Sequence, residues 1–199
     1  MKIKTNFCFA VIAAFMLSAC STSVERLDSQ EQVDLSGAWN DTDSQLVARE
    51  MVEDALSRAW ITKFVKQEGT EPVVIVGRVK NLSHEHINTN TFVANMEREL
   101  INSGEVQFVA SSAARKEIRD ERGDQDLNAS EATRKEMGQE YGADFMMQGQ
   151  INTIIDVEGS TQVRFYQVNL ELISIKDNRK VWIGEKKIKK LIKNSKLRE

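Results

Sequence analysis

Cysteine, histidine and proline are scarce in this sequence. It has two cysteines, two histidines and one proline among 199 residues, and both cysteines, Cys8 and Cys20, lie in the first twenty positions. The rest of the chain therefore offers no pair of thiols for a disulfide and no cysteine nucleophile. Its fold must be held together by packing alone.

The first twenty residues have the order of an export signal. Two lysines precede an apolar run from Phe7 to Leu17, and small residues follow. The run is too short to span a bilayer as a helix. Because Leu17-Ser18-Ala19 is followed directly by Cys20, the pattern predicts a lipoprotein signal peptide over residues 1–19, cleaved before a lipidated Cys20.

Lipidation would make Cys20 an anchor rather than a reactive group. A single acyl chain gives only marginal membrane binding, whereas a diacylglyceryl group with a further acyl chain such as palmitate anchors stably. Position 21 is Ser rather than an Asp that would favour the inner membrane. We therefore expect a cell outer membrane location, facing the periplasm.

Composition divides the rest into three parts. Residues 20–42 are mostly polar and predict the lipidated cysteine with a short tether, which we expect to dock on the domain at Val33–Asn40. Residues 43–186 predict one domain, and residues 187–199 a basic C-terminal tail. The acidic body and the export signal both argue against nucleic-acid binding.

The first half of the domain has helical and buried-strand patterns. Thr42 and Gln45 have capping-box spacing, ahead of an apolar stripe that reaches Trp60. The β-branched run Val73–Val79 predicts a strand covered on both faces, and a helix from Asn90 to Gly104 leads to a strand at Val106–Ala110. Two polar helices follow over 111–142, the second starting at Asn128.

The second half alternates apolar and polar residues with period two. The alternating segments are 145–153, 166–172 and 181–183, separated by turns at Gly159-Ser160 and Asp177-Asn178. This pattern predicts an antiparallel three-stranded meander with one covered face. The fold class is therefore α/β, a mixed sheet flanked by helices, with a βαβ part followed by the meander.

Residues for catalysis or metal binding are few. His84 and His86, with Glu85 between them, could supply two or three metal ligands, but no further His or Cys completes the set. No serine elbow, phosphate-binding glycine loop or metalloprotease motif occurs, and Asn40–Gln45 lacks the Gly and the distant Glu of a calcium loop. We expect no catalytic site, no metal and no cofactor.

The basic end of the chain has two interpretations. Seven lysines and arginines lie between Lys186 and Arg198. Ile188, Leu191 and Ile192 have helical spacing, which would suit an amphipathic helix on anionic lipid or an acidic partner. Ile188, Lys190 and Ile192 also alternate, as in an edge strand whose lysines prevent aggregation, followed by a solvated tail.

Three segments resemble the LpoB family of outer-membrane lipoproteins. They are Leu17–Cys20, Asp34–Ser44 with its central Trp39, and Tyr141–Gly149, and the likeness covers about residues 34–185. The resemblance implies a domain related to the N-terminal domain of TolB. It also implies allosteric activation of a bifunctional peptidoglycan synthase, a class A penicillin-binding protein, with no chemistry on this chain.

Two other functions stay open. The best-known family member has a long proline-rich linker, whereas this chain has only Pro72 and a short tether, which favours a structural or secretion-assembly envelope lipoprotein without a synthase partner. A hydrolase acting on cell-wall or lipid substrates would depend on the two histidines. No partner-binding residue can be assigned from the sequence, because such residues look like any solvated face.

Overall fold

The structure, a computed structural model, describes residues 24–28, 31, 33–132 and 140–193. The chain divides into two compact units at Val33, and the elements below all lie in the second. The helices are α1 (Asp41–Leu56), α2 (Trp60–Glu68), α3 (Thr89–Ser103) and α4 (Ser112–Asn128). The strands are β1 (Val73–Leu82), β2 (Gln107–Phe108), β3 (Phe145–Glu158), β4 (Thr161–Ser174) and β5 (Lys180–Lys193).

The five strands form one mixed sheet. Its order is β2-β1-β3-β4-β5, with β1 parallel to both β2 and β3 and with β3, β4 and β5 antiparallel. The predicted α/β class, with a βαβ part followed by a meander, is confirmed. β2 is shorter than the predicted strand, because Ser111 already caps α4 by accepting a hydrogen bond from the backbone of Ala114.

The core lies between the sheet and the pair α1 and α3. These two helices contact each other, α1 also contacts β5, and α3 also contacts β1. Every second residue of β4 from Tyr166 to Ser174 is buried, while the residues between them are only partly covered. The meander is therefore covered on one face, as its alternation predicts. The start of β1, Val73–Val76, is buried on both faces.

The start of α1 differs from the prediction. Its N-cap is Asn40, whose side chain accepts from the backbone of Asp43, while the Asp43 carboxylate accepts from the backbone of Asn40. The capping box is thus Asn40 with Asp43, and Thr42 lies inside the helix. Asn is as good an N-cap as Ser or Asp and better than Thr, and Asp43 is also fixed by an ion pair described below.

The end of α1 differs as well. The apolar stripe was expected to run on to Trp60, but α1 ends at Leu56 and Trp60 begins α2. The Ser57 hydroxyl donates to the carbonyl of Asp54 at 2.7 Å, and the Trp60 indole donates to the carbonyl of Ala55, also at 2.7 Å. These bonds at the helix end turn the chain, so Trp60 packs edge-on against Phe145.

The basic end proves to be strand rather than helix as far as Lys193. Residues 187–193 belong to β5, which pairs with β4 back to Thr161, so the predicted tail boundary at residue 187 is wrong. The alternation of Ile188, Lys190 and Ile192 decides the conformation. Residues 194–199 lie outside the described residues, as do Cys20, the signal peptide and residues 133–139 of the expected second polar helix, whose described residues 129–132 and 140–142 are not helical. Asn128, expected to start that helix, instead ends α4.

Candidate partner-binding site

The two histidines that could have supplied metal ligands differ in their surroundings. His84 is held against β3 by its backbone nitrogen and its Nδ1, which lie 3.1 and 3.2 Å from the Thr153 hydroxyl. His86 is exposed. Within the described ranges no group of three His, Cys, Asp or Glu side chains is placed to hold a metal ion.

Glu85, between the histidines, accepts hydrogen bonds from other parts of the domain with both of its carboxylate oxygens. One of its oxygens accepts from the Arg164 guanidinium at 2.8 Å and from the Tyr166 hydroxyl at 2.7 Å. The other accepts from the backbone nitrogen of Trp39 at 3.1 Å. Burial and the hydrogen bond to Glu85 raise the pKa of Tyr166 above its usual value. Glu85 thus ties the segment before α1 to β4.

That segment, Val33–Asn40, is called the strap here. The Trp39 ring packs edge-on against Phe92 and Tyr166, with centroid distances of 6.2 and 5.6 Å, and its indole donates to the Ser44 hydroxyl at 2.7 Å. Gly37 has φ +64° and lies against Ile192, where a side chain would collide. The strap was expected to pack on the domain through its Leu, Gly and Trp. The structure confirms this for Gly37 and Trp39. Leu35 is exposed.

Lys190 fastens the strap to β5. Its ammonium group donates to Asp34 and Asp43, both at 2.7 Å, and to the carbonyl of Ala38 at 3.2 Å. Burial by itself would lower the pKa of Lys190, but the two carboxylates outweigh it and raise that pKa above the usual value. A residue expected only to protect a strand edge therefore forms the main polar contact of the strap.

The meander has two ends of different character. One end, called the tip, contains the β3–β4 turn at Gly159–Ser160, the last residues of β5 and the strap. The other end contains the β4–β5 turn, where Asn178 has a positive φ of 61°. Strands β3, β4 and β5 each have 14 residues. At about 3.3 Å per residue the two ends lie roughly 45 Å apart.

A cleft of about 760 Å³ lies at the end opposite the tip. It is bounded by α2, by residues 143–145 and by the β4–β5 turn. Its floor is aromatic, because Trp60 and Phe64 both pack edge-on against Phe145, with centroid distances of 5.0 and 5.3 Å. An apolar floor inside a polar rim is the usual composition of a binding site.

The rim of the cleft is rich in cations. They are Arg58, Lys63, Lys176, Arg179 and Lys180, against three acids, Glu68, Asp144 and Asp177. Arg58, Arg179 and Lys180 form ion pairs with Asp54, Asp177 and Glu171, respectively. Among the residues that the structure describes, Lys63 and Lys176 have no ion pair. The cleft therefore presents two uncommitted ammonium groups above an aromatic floor.

Neighbouring carboxylates are held in their charged form. The Trp182 indole donates to Asp54 at 2.8 Å, and this bond, with that from Arg58, lowers the pKa of Asp54 below its usual value. Hydrogen bonds from Lys180 and then Gln148 lower the pKa of Glu171. These acids neutralise part of the rim and leave Lys63 and Lys176 as the cations available to a ligand.

The uncovered face of the meander is a weaker candidate. Its central rows pair Gln148 with Glu171 and Gln150 with Asn169 across the strands. Gln148 donates to Glu171 at 3.0 Å, and Gln167 donates to Asn169 at 3.2 Å. These side chains satisfy part of one another's hydrogen-bonding capacity.

The sequence did not reveal the cleft, because its rim comes from three segments far apart in the chain. Of its parts, the Asp177-Asn178 turn, the strand that starts at Phe145 and the apolar position of Trp60 were predicted, but not that they come together. Lys63 and Phe64 were not singled out, because the helix that carries them was not separated from α1. The apolar positions Trp60, Ile61, Phe64 and Val65 have helical spacing and would have indicated a second amphipathic helix.

The structure is a mixed α/β domain with a cation-rimmed cleft, and no helix within the described ranges is long and apolar enough to cross a membrane. The family model of the peptidoglycan-synthase activator LpoB matches residues 43–188. The chain belongs to the LpoB family. The match begins inside α1 and ends inside β5, so it covers β1 to β4 in full and β5 as far as Ile188.

Several solved structures of low sequence identity also match this chain. The LpoB C-terminal domain from Escherichia coli is 14% identical, with 73% of this chain and 98% of that chain covered and a TM-score of 0.45. Lipoprotein GNA1162 from Neisseria meningitidis is 15% identical, with 64% and 88% covered and a TM-score of 0.41. The PelC dodecamer from Paraburkholderia phytofirmans is 12% identical, with 60% and 72% covered and a TM-score of 0.35. No match to this chain was found among curated proteins.

Proposed function

We propose that this protein binds a bifunctional peptidoglycan synthase, a class A penicillin-binding protein, and activates it allosterically. The observation that carries the proposal is the match of the LpoB family model to residues 43–188. Activation requires that the protein bind the faster state of the synthase more tightly than the slower one. The bound protein then contributes no chemistry of its own.

The proposal includes an anchor. Lipidation of Cys20 after removal of residues 1–19 would hold the protein on the outer membrane, facing the periplasm. The support is the register of the apolar run, the small residues and Cys20 in the sequence. Residues 20–32 form the tether in this proposal, because the strap from Val33 onward is packed on the domain.

The cleft is the contact that we assign to the synthase. Its aromatic floor suits an apolar side chain of the partner, and Lys63 and Lys176 suit flanking acidic residues. Buried aromatic contacts supply most of the affinity of an interface, whereas rim charges act on the rate of association and on specificity. We therefore expect an acidic segment of the synthase with an aliphatic or aromatic anchor.

The test measures glycan-chain polymerisation by the class A synthase of the same organism, with the mature protein from Cys20 added in detergent. We expect a faster rate that saturates with added protein. Lys63→Glu and Lys176→Glu should each weaken binding and so raise the half-saturating concentration about five- to tenfold. The matched control is Lys66→Glu, which lies on α2 but does not line the cleft. An unchanged rate with the unmodified protein would refute the activator function.

A second function is supported by the length of the tether. Thirteen residues from Cys20 to Gln32 span at most about 45 Å when fully extended. A structural or secretion-assembly lipoprotein that works near its own membrane needs no greater reach. Sedimentation of the detergent-solubilised protein separates the two functions, because stable rings or filaments without synthase binding would favour this alternative.

A further inference from the structure

We propose that the tip of the meander is a membrane-contact surface, which lies on the anionic phospholipid surface of the membrane that carries the anchor. The proposal rests on the lipidation of Cys20 put forward above. It adds an orientation to that anchoring: the tip faces the lipid and the cleft faces away from it.

Apolar side chains are exposed at the tip. The exposed fractions are 64% for Ile154, 62% for Val157, 62% for Leu191 and 93% for Leu35 of the strap. Register places the three strand residues at one end of the sheet: Ile154, opposite Phe165, and Leu191, opposite Val163, are on its uncovered face, and Val157, opposite Gln162, is on the other face. Exposed apolar groups gathered at one place mark a contact surface rather than scattered surface residues.

The distribution of charge indicates which side of the tip, that of β5 or that of β3, faces the lipid. On β5, Lys189 and Lys193 are exposed and have no ion pair within the described residues. Of the acids of the tip, Asp156 and Glu158 are on β3, two strands away, and Asp34 of the strap forms an ion pair with Lys190. The β5 side thus combines apolar and basic groups, the composition that binds anionic headgroups.

The attachment of the chain favours the same orientation. The strap is fixed to the tip through Lys190 and Tyr166, so the chain enters the domain there, at Val33. A tether of at most about 45 Å from Cys20 therefore leads to the tip and not to the cleft. With the tip on the lipid, the cleft stands roughly 45 Å from the membrane surface.

The test compares two labelled positions on the lipid-anchored mature protein in phospholipid vesicles. Because lipidation blocks Cys20, a cysteine introduced at Ser160 in the tip or at Lys176 beside the cleft is the only free thiol. Each is labelled with a fluorophore, and quenching by nitroxide-labelled lipid is measured with and without phosphatidylglycerol. We expect quenching several-fold stronger at position 160, increased further by phosphatidylglycerol. Equal quenching at the two positions would overturn the proposal.

Charge reversals supply the second arm. Lys189→Glu with Lys193→Glu should reduce quenching at position 160 several-fold in anionic vesicles, whereas the matched pair Lys63→Glu with Lys66→Glu should not change it. If both pairs act alike, the tip is not the lipid contact. Flotation of the protein with the vesicles tests the anchor separately. If the protein floats but the two positions are quenched equally, only the lipid contact at the tip is refuted. A protein that does not float refutes lipidation and this inference with it.

Discussion

Lys190 on the last strand and Asp43 in the first turn of α1 form an ion pair of 2.7 Å, with 11% and 8% of their side chains exposed. The two residues are 147 positions apart in the chain. Asp43 also accepts the backbone hydrogen bond of Asn40 that closes the capping box. One carboxylate therefore fixes both the start of the first helix and its position over the sheet edge.

Replacing Lys190 by Met should destabilise the protein by about 2 kcal/mol, because a largely buried carboxylate loses its charged partner. The figure is below that for a fully buried pair, since Asp34, the other partner, is 41% exposed. Urea unfolding followed by circular dichroism measures the change. Lys189→Met, on the opposite face of the strand, is the control and should stay within about 0.5 kcal/mol. Equal losses of unfolding free energy in the Lys190→Met and Lys189→Met variants would show that the ion pair makes no net contribution to stability.

The stability of the protein should depend on Tyr166 at alkaline pH. The fold raises the pKa of this phenol above its ordinary value of 10.0, so the fold favours the protonated form. The stabilisation is complete below about pH 10 and is lost as the pH rises through the raised pKa. Tyr166→Phe should show a smaller decrease in the free energy of unfolding above pH 10 than the unmodified protein does. If the two proteins showed the same pH dependence, the loss of stability at alkaline pH could not be assigned to Tyr166.

Trp39→Ala should release the strap and cost about 3 kcal/mol, since it removes an aromatic side chain packed against Phe92 and Tyr166. Limited proteolysis should then cut between Val33 and Asn40 before the domain is degraded. Leu35→Ala is the matched control in the same segment, and its exposed side chain predicts no change in either measurement. A Trp39→Ala protein as resistant as the control would show that the strap is held without the ring.

Gly149→Ala should destabilise the protein by more than about 2 kcal/mol. A Cβ at this position of β3 would overlap the backbone carbonyl oxygen of Asn169 on the neighbouring strand, which cannot move aside like a side-chain end. Gly123→Ala is the control, because its Cβ meets nothing within 4 Å and it lies in α4, where Ala is favoured by up to about 1 kcal/mol. Thermal unfolding should therefore shift down for the first variant and stay level or rise for the second.

The meander was predictable because local alternation and burial agree there. Each turn, at Gly159-Ser160 and Asp177-Asn178, is marked by residues that adopt turn conformations, and the strands between them keep one strict period. The βαβ part followed from the β-branched run and the helix ended by Gly104. In both regions each signal comes from residues close together in the chain.

The strap contacts and the cleft could not be predicted because they depend on pairs distant in sequence. Lys190 looks like any lysine of an edge strand, and only the fold brings Asp34 and Asp43 to it. The break between α1 and α2 depends on the Ser57 hydroxyl and the Trp60 indole, which bond to carbonyls of the last turn. Helical spacing alone continues across that break.

With Cys20 lipidated as proposed, the strap would also set the mechanical behaviour of the anchored chain. It is bound by side-chain contacts and contributes no strand to the sheet, so a pull on its N-terminal end would load Lys190 before any strand pairing. Peeling its eight residues would lengthen the free tether by roughly 28 Å while leaving the domain intact. Under the proposed lipid anchor, release of the strap would therefore let tension increase the distance between the membrane and the domain.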